Sequence, residues 1–236
     1  RAELQGGQNF EMPNLGIVCA DAHVADLDTS HAVFDEVAGE NEQVRETLNN
    51  ILKSFKQVEG LGSLLDVKGA LAELIEENGH QLDAFDDEDI VTLPVLLSRL
   101  HRAVAERVTS NSFRAKDLRS FLKALVLLSQ DYDVALMNPP YGARYRMPDS
   151  IKEYVRDTYE YGPEYYINFH EACDKLLKEN GRIGMLVPRS FMIKRSFEDF
   201  RKRFVEGKSS VDLLAEYGLG ILDKATVRTA GVVTRK

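Results

Sequence analysis

Asp133-Val134-Ala135-Leu136-Met137-Asn138-Pro139-Pro140-Tyr141 is the stretch on which the reading of this chain turns. Its first five residues have the length and apolar content of a buried strand. The two prolines end that strand, because proline has no N–H to give to a sheet ladder. Asn138 is thereby expected at the C-terminal end of a strand, the edge at which open α/β sheets bind their ligands.

Asn138, Pro139, Pro140 and Tyr141 suit one kind of chemistry. An exocyclic amine on an aromatic ring is a poor nucleophile because its lone pair is delocalised, and two acceptors aimed at its N–H groups would draw that pair out. Asn138 offers a side-chain oxygen, and Pro139 offers a backbone carbonyl held by its rigid neighbour. Tyr141 adds a π-face for a base taken out of its stack, worth roughly 1–3 kcal/mol. No strong general base is needed, since the proton leaves only as the new bond forms. Taken alone, the four residues are equally consistent with a Pro-Pro turn that closes a strand beside an ordinary half-buried tyrosine.

The downstream pattern favours the first reading. Glu164-Tyr165-Tyr166-Ile167-Asn168-Phe169 opens an amphipathic helix through Cys173, Leu176 and Leu177, stopped by the left-handed signal Asn180-Gly181. Arg182 to Pro188 is then a second buried strand, ending in the loop Pro188-Arg189-Ser190-Phe191. Strand, loop, helix, glycine and strand in that order predict a right-handed parallel β-α-β unit.

On these residues the chain resembles the amino-methylating, adenine-specific DNA methyltransferases of the large restriction-modification and phage-exclusion kind. Asn138 to Gly142 matches their catalytic motif, and Glu164 to Phe169 is similar to their Asp-Leu-Tyr-x-x-Phe helix start. Gly181 to Phe191 is similar to their Gly-Gly-Arg-hydrophobic-Val-Pro-x-Ser-Phe strand, and Ala225 to Val233 to a last strand with an Ala-Thr-Val-x-Thr signature. Val18-Cys19-Ala20-Asp21-Ala22 resembles the strand whose acidic residue binds the cofactor's adenine amine. The resemblance implies an α/β fold, a partial Rossmann-like methyltransferase sheet with an inserted α-helical subdomain. It implies S-adenosylmethionine as cofactor and a flipped adenine of DNA as substrate. Asn138, Pro139, Pro140 and Tyr141 would be catalytic, and Asp21 and Phe169 would bind the cofactor. Tyr141, Gly142 and Leu222 would contact the base, Leu222 standing where relatives often place an aromatic.

The family's glycine-rich cofactor loop, which precedes the Asp21 strand, is not found. The chain is therefore expected to be the catalytic-motif portion of a longer enzyme, inactive in isolation. Residues 131–236 are expected to form a partial parallel sheet with helices, and residues 1–30 to be displaced from it. Two alternatives stay open: methylation of a protein glutamine or an RNA amine, and a non-catalytic binding module.

Composition sets wider bounds. The chain has 236 residues and 44% hydrophobic content, enough for one or two globular domains. No run of about 18 apolar residues and no signal-peptide pattern is visible, so a cytoplasmic protein without membrane contact is expected. Cys19 and Cys173 have no metal-like spacing, and the five histidines form no His-x-x-x-His pair, so neither a metal nor a disulfide is expected. His170 reads as a helix-surface residue beside the site. A net charge of −8 opposes DNA binding, but much of the acid lies at Glu40 to Glu46 and Asp83 to Asp89. Arg144, Arg146, Lys194, Arg195, Arg201, Lys202 and Arg203 follow the catalytic loop and the second strand. Arg144 and Arg146 are the better phosphate contacts, because their loop leaves the active edge, and Arg201 to Arg203 reads as a solvated helix face.

Between the Asp21 strand and the catalytic strand, four sets of apolar residues recur at helical spacing. They run from Val44 to Phe55, Leu64 to Ile75, Leu96 to Val108 and Leu118 to Leu128, which predicts four or five helices. The expected organisation is a cofactor-side strand and lead-in segment at 1–30, a helical insertion at 31–130 and the catalytic part at 131–236. The acidic surface of the insertion would suit protein contacts, although a packing role that shapes the cleft is the plainer reading.

Overall fold

In the computed structural model, two strands pair in parallel: β1 (Tyr132–Met137) and β2 (Leu177–Pro188), with Val134 opposite Arg182 and Met137 opposite Met185. The structure describes residues 32–57, 62–72, 93–106, 113–141, 147–162, 164–221 and 227–236. Two further strands, β3 (Ser210–Gly218) and β4 (Thr229–Arg235), complete a sheet of order β1-β2-β4-β3. Ahead of the sheet the described residues include the helices α1 (Ala32–Ala38), α2 (Glu42–Gln57), α3 (Leu93–Glu106) and α4 (Phe113–Ser129). The crossover from β1 to β2 carries α5 (Asp149–Thr158) and α6 (Tyr165–Leu176). From β2 to β3 the chain forms a short α7 (Ser190–Ile193), a 3-10 turn (Arg195–Phe197) and α8 (Glu198–Val205).

The sheet is mixed rather than parallel throughout. Strand β3 points the same way as β2, as a helical crossover requires. Strand β4 then returns between them, so both of its pairings are antiparallel, with Val187 opposite Ala230 and Leu214 opposite Val232. The expectation of a buried β1 also needs correcting. Ala135 and Met137 pack into the sheet core, but Val134 and Leu136 on the other face are 56% and 81% exposed. Among the described residues β1 has a single strand neighbour, β2, and none of them covers the face that carries Val134 and Leu136.

The Asn-Gly signal acts through both of its residues. Helix α6 ends at Leu176, and the chain reverses with Asn180 at φ 63°, in the left-handed region that asparagine tolerates better than most residues. Gly181 is needed for close approach: a Cβ there would lie 2.8 Å from the Lys178 carbonyl oxygen. The extra residues are absorbed as an irregularity in the β1–β2 ladder before Val134.

The sheet and the helices on it share one apolar cluster, in which Ile183, Met185, Val187 and Val232 meet Tyr166 and Ile167 of α6 and Phe200 of α8. A second cluster unites Leu48 and Leu52 of α2, Leu96 and Leu100 of α3 and Phe121 and Leu125 of α4 with Ile151 and Val155 of α5. The upstream helices are thus packed directly on the crossover. Polar contacts fix the seam. Tyr159 Oη donates to the Leu64 carbonyl at 2.6 Å, the Asp66 amide donates to Tyr154 Oη at 2.9 Å, and Lys175 pairs with Asp66. The helix expected from Leu64 onward is broken at that point. Gly62–Leu64 is a 3-10 turn, and the Asp66 carboxylate accepts the Gly69 amide at 2.9 Å, which caps a new helical turn over 67–72.

Two readings of α6 and α8 are overturned. His170 is fully buried, with Nε2 2.9 Å from Thr234 Oγ1 and its ring edge-on to Phe200 and Phe204. Arg203 is buried too, donating to Asp174 Oδ2 at 2.9 Å and to Ser209 Oγ, and Arg201 donates to the carbonyls of Phe191 and Lys194. Within that trio only Lys202 behaves as a solvated cation, paired with Asp199. Helix α6 also carries the half-buried Cys173 against the sheet cluster, its thiol pushed up to about 11 by burial and by the charge of Asp174. Among the described residues, no helix is long and apolar enough to cross a membrane.

The reversal at Asn180 can be tested by substitution. Asn180→Gly is expected to keep or raise stability, and Asn180→Val to lower it by roughly 1–2 kcal/mol, read from urea denaturation midpoints.

Candidate active site

Because β1 and β2 run in the same direction, the segments that leave their C-terminal ends emerge on one edge. Asn138-Pro139-Pro140-Tyr141 leaves β1 there and Arg189-Ser190 leaves β2. Pro139 is buried, while Asn138 and Pro140 are exposed. Tyr141 reaches across to the neighbouring strand and donates its hydroxyl to the Leu186 carbonyl at 3.0 Å. Burial raises the pKa of that hydroxyl above its ordinary value, so it stays protonated and continues to donate.

The tethered ring forms one wall of a cleft of about 540 Å³. Glu164 and Tyr166 of the α6 start, Pro188 at the end of β2 with Arg189 and Ser190 after it, Ile193, Lys194, Ser196 and Phe197 further along, and Val227 and Arg228 ahead of β4 complete the lining. Tyr166 Oη lies 3.2 Å from Ser190 Oγ, which joins the helix to the turn after β2. On the rim, Arg189 Nη1 donates to Glu216 Oε1 at 2.7 Å, and Arg228 Nη1 lies 3.8 Å from the same oxygen. One carboxylate on β3 therefore orients two guanidinium groups beside the cleft.

A buried polar pair braces the loop that leads into α6. Glu171 Oε1 accepts the amides of Glu160 and Tyr161 at 2.7 and 3.2 Å, and Oε2 accepts Asn168 Nδ2 at 3.1 Å. Asn168 Oδ1 in turn accepts the Glu164 amide at 2.8 Å. The loop ahead of α6 is thereby bound to the helix it precedes, and Glu164 is set at the cleft. Burial pushes the Glu171 carboxyl up to about 7, against the opposing effect of those hydrogen bonds and of Arg203.

The structure gathers only part of the anticipated site. Tyr141 lines the cleft, whereas Asn138 lines a shallower groove on the open sheet face with Met137, Gly184 and Leu186. Phe169 is half-buried and packs against the helical cluster, lining neither cavity. Lys194 lines the cleft, and Arg195 is exposed beside it. Asp21, Gly142, Arg144, Arg146 and Leu222 lie outside the described residues, as does the expected 1–30 segment. Sequence reasoning missed two features. The Glu216 bridge lies on a strand it did not anticipate. The Asn168–Glu171 pair did carry a signal, since residues three apart on a helix share a face.

A parallel β-α-β unit thus brings the tyrosine of an Asn-Pro-Pro-Tyr loop to a cleft beside the C-terminal ends of its strands, which defines the class as an α/β protein with a ligand-sized cleft at that edge. The chain belongs to the Eco57I restriction-modification methylase family, whose profile matches residues 41–218. It is 26% identical over 151 residues to the adenine-specific methyltransferase BrxX of Escherichia coli O9:H4 (strain HS), a match covering 63% of this chain and 12% of BrxX. It is also 26% identical over 165 residues to the adenine-specific methyltransferase PglX of Lacticaseibacillus casei (strain Zhang), covering 66% of this chain and 12% of PglX. The type II methyltransferase M.VspI of Vibrio sp. (strain 343) is 29% identical over 155 residues, covering 64% of this chain and 35% of that protein. The chain thus matches only a minor part of the length of these relatives.

The Glu171 carboxyl makes the bracing of the loop ahead of α6 sensitive to pH. Its pKa is raised from 4.5 to about 7, so the folded protein holds a proton that the unfolded chain has released; this stability is complete below 4.5 and is lost as pH rises through 7. Burial depresses His170 from 6.5 to about 3, which gives the opposite slope: its contribution is complete above 6.5 and is lost as pH falls toward 3. Glu171→Gln should forfeit the Asn168 bond but cancel the first slope. Its stability relative to wild type should climb by up to about 1.4 kcal/mol per pH unit between the two Glu171 values, measured by urea unfolding.

Proposed function

We propose that this chain carries the catalytic loop of an S-adenosylmethionine-dependent enzyme that methylates the exocyclic amino group of adenine in DNA, in restriction-modification or phage exclusion. The observation that carries the reading is the Tyr141 tether. Its bond to the Leu186 carbonyl holds an aromatic face at the wall of a cleft at the C-terminal edge of the sheet, the arrangement a flipped base needs for stacking. Family membership and the likeness to two proteins named as adenine-specific methyltransferases support the same reading.

In this reading the exposed Asn138 turns from the sheet-face groove toward the base beside Tyr141, and its Oδ1 and the Pro139 carbonyl accept the two N–H groups of the adenine amine and localise its lone pair. Pro140 stiffens the loop, Tyr141 stacks on the base, and Gly142 and Leu222 complete the contacts around it. Arg144 and Arg146 meet the flanking phosphates. S-adenosylmethionine, when bound, supplies a methyl group on positively charged sulfur. Neutral oxygen acceptors suit that donor, because attack on a sulfonium methyl needs a more nucleophilic amine and no acid to release the leaving group. Asp21 takes the cofactor's adenine amine, and the uncovered part of the Phe169 ring contacts its adenine. Residues 31–130 act as an insertion into this core whose acidic surface is open to protein contacts, while 1–30 and 131–236 contribute the cofactor side and the catalytic side.

Asn138→Ala is expected to lower the rate of methyl transfer to DNA by about a hundredfold or more, with cofactor affinity within about twofold, as for loss of a group used mainly in the transition state. Unimpaired transfer would refute the assignment. Tyr141→Phe keeps the ring and loses the tether, so a loss of a few-fold is expected. Tyr141→Ala loses the stacking surface as well and should fall by roughly ten- to a hundredfold, read from tritiated methyl incorporation.

A further inference from the structure

Ile193 stands at the mouth of the cleft with 67% of its surface exposed, although it is a large aliphatic side chain. It ends α7, and the next two residues, Lys194 and Arg195, are also exposed. No carboxylate among the described residues pairs with either cation, in contrast to Arg189 and Lys202 nearby.

The turn that presents Ile193 is held firmly. Arg201 Nη1 donates to the Phe191 and Lys194 carbonyls, both at 2.7 Å, the Lys194 amide donates to the Ser190 carbonyl at 2.9 Å, and Phe191 is buried in the sheet cluster. An apolar tip is therefore fixed in the open, beside two cations and next to a cleft walled by Tyr141. A stacked duplex fits all three elements: its phosphates meet Lys194 and Arg195, its bases meet the aliphatic tip, and an extruded base enters the cleft.

Resting on the reading of the cleft as the pocket for a flipped adenine, we infer that Ile193 is a wedge that enters the duplex and fills the space left by the target base. It is a positioning residue, touching the base stack rather than the reacting amine. Its contribution is to offset part of the cost of unpairing and unstacking.

The test uses the full-length protein with S-adenosylmethionine and a duplex oligonucleotide whose methylated adenine has first been located by sequencing modified DNA. Initial rates are compared on two duplexes, one with the target paired to thymine and one with the target facing an abasic site. Ile193→Ala should be about tenfold slower than wild type on the paired duplex. On the abasic-site duplex, where the base is already unpaired, it should come within about twofold of wild type. Ile193→Leu should behave as wild type on both. Equal losses on the two duplexes, or no loss on the paired one, would overturn the wedge. Asn138→Ala, run alongside, should lose activity on both. Normal transfer by that variant, or no transfer to any DNA by the wild-type protein, would instead bring down the pocket reading on which the wedge rests.

Discussion

Parallel pairing of β1 with β2 is the constraint on which the site depends. Two strands that run together release their following segments on the same edge, so a loop at residue 138 and a turn at residue 189 become neighbours although some fifty residues separate them. The Tyr141–Leu186 hydrogen bond is available only because that register sets the loop beside the last turns of β2. Strand β4 then extends the geometry by running back along β2, which places Arg228 next to Arg189, the Arg189 amide donating to the Arg228 carbonyl at 3.0 Å. Had β2 paired antiparallel to β1, the loop and the turn would lie at opposite ends of the sheet.

Helix α6 links this edge to the rest of the molecule. It carries Asn168, His170 and Glu171, all buried, an arrangement that is stable only because most of their polar atoms find partners. Glu171 and Asn168 direct their bonds into the loop at the cleft, and His170 directs its Nε2 into β4. At its C-terminal end Lys175 joins Asp66, and through it the upstream helices. Displacing the helix would therefore disturb the cleft wall, the sheet and the helical seam together, which accounts for so much polar chemistry being gathered on one twelve-residue element.

The β-α-β core was legible because its signals are local: an apolar run stopped by prolines, a helix with a strong apolar face and an Asn-Gly reversal. Strand β3 was not, because it lies at the sheet edge with both faces largely exposed and carries Asp212 and Glu216 among its apolar residues, leaving no clean alternation to read. The exposure of Leu136 was likewise hidden, since an apolar residue looks the same in a sequence whether or not a neighbour covers it. His170 was placed at the surface because a lone histidine gives no sign of the aromatic rings that converge on it from α8. Of the site itself, Tyr141 could be anticipated from its motif. The carbonyl that anchors it and the carboxylate that bridges two arginines depend on strand register, which local spacing does not encode.

Cys173 gives the molecule a built-in reporter. Thiolates, not thiols, react with alkylating reagents, and a thiol held at about 11 and half-covered by the sheet offers little of the reactive form near neutral pH. The speed at which Cys173 is labelled therefore tracks how often α6 lifts from the strands beneath it. Slower labelling in the presence of a ligand would register tightening at the cleft wall without any need to observe the reaction itself.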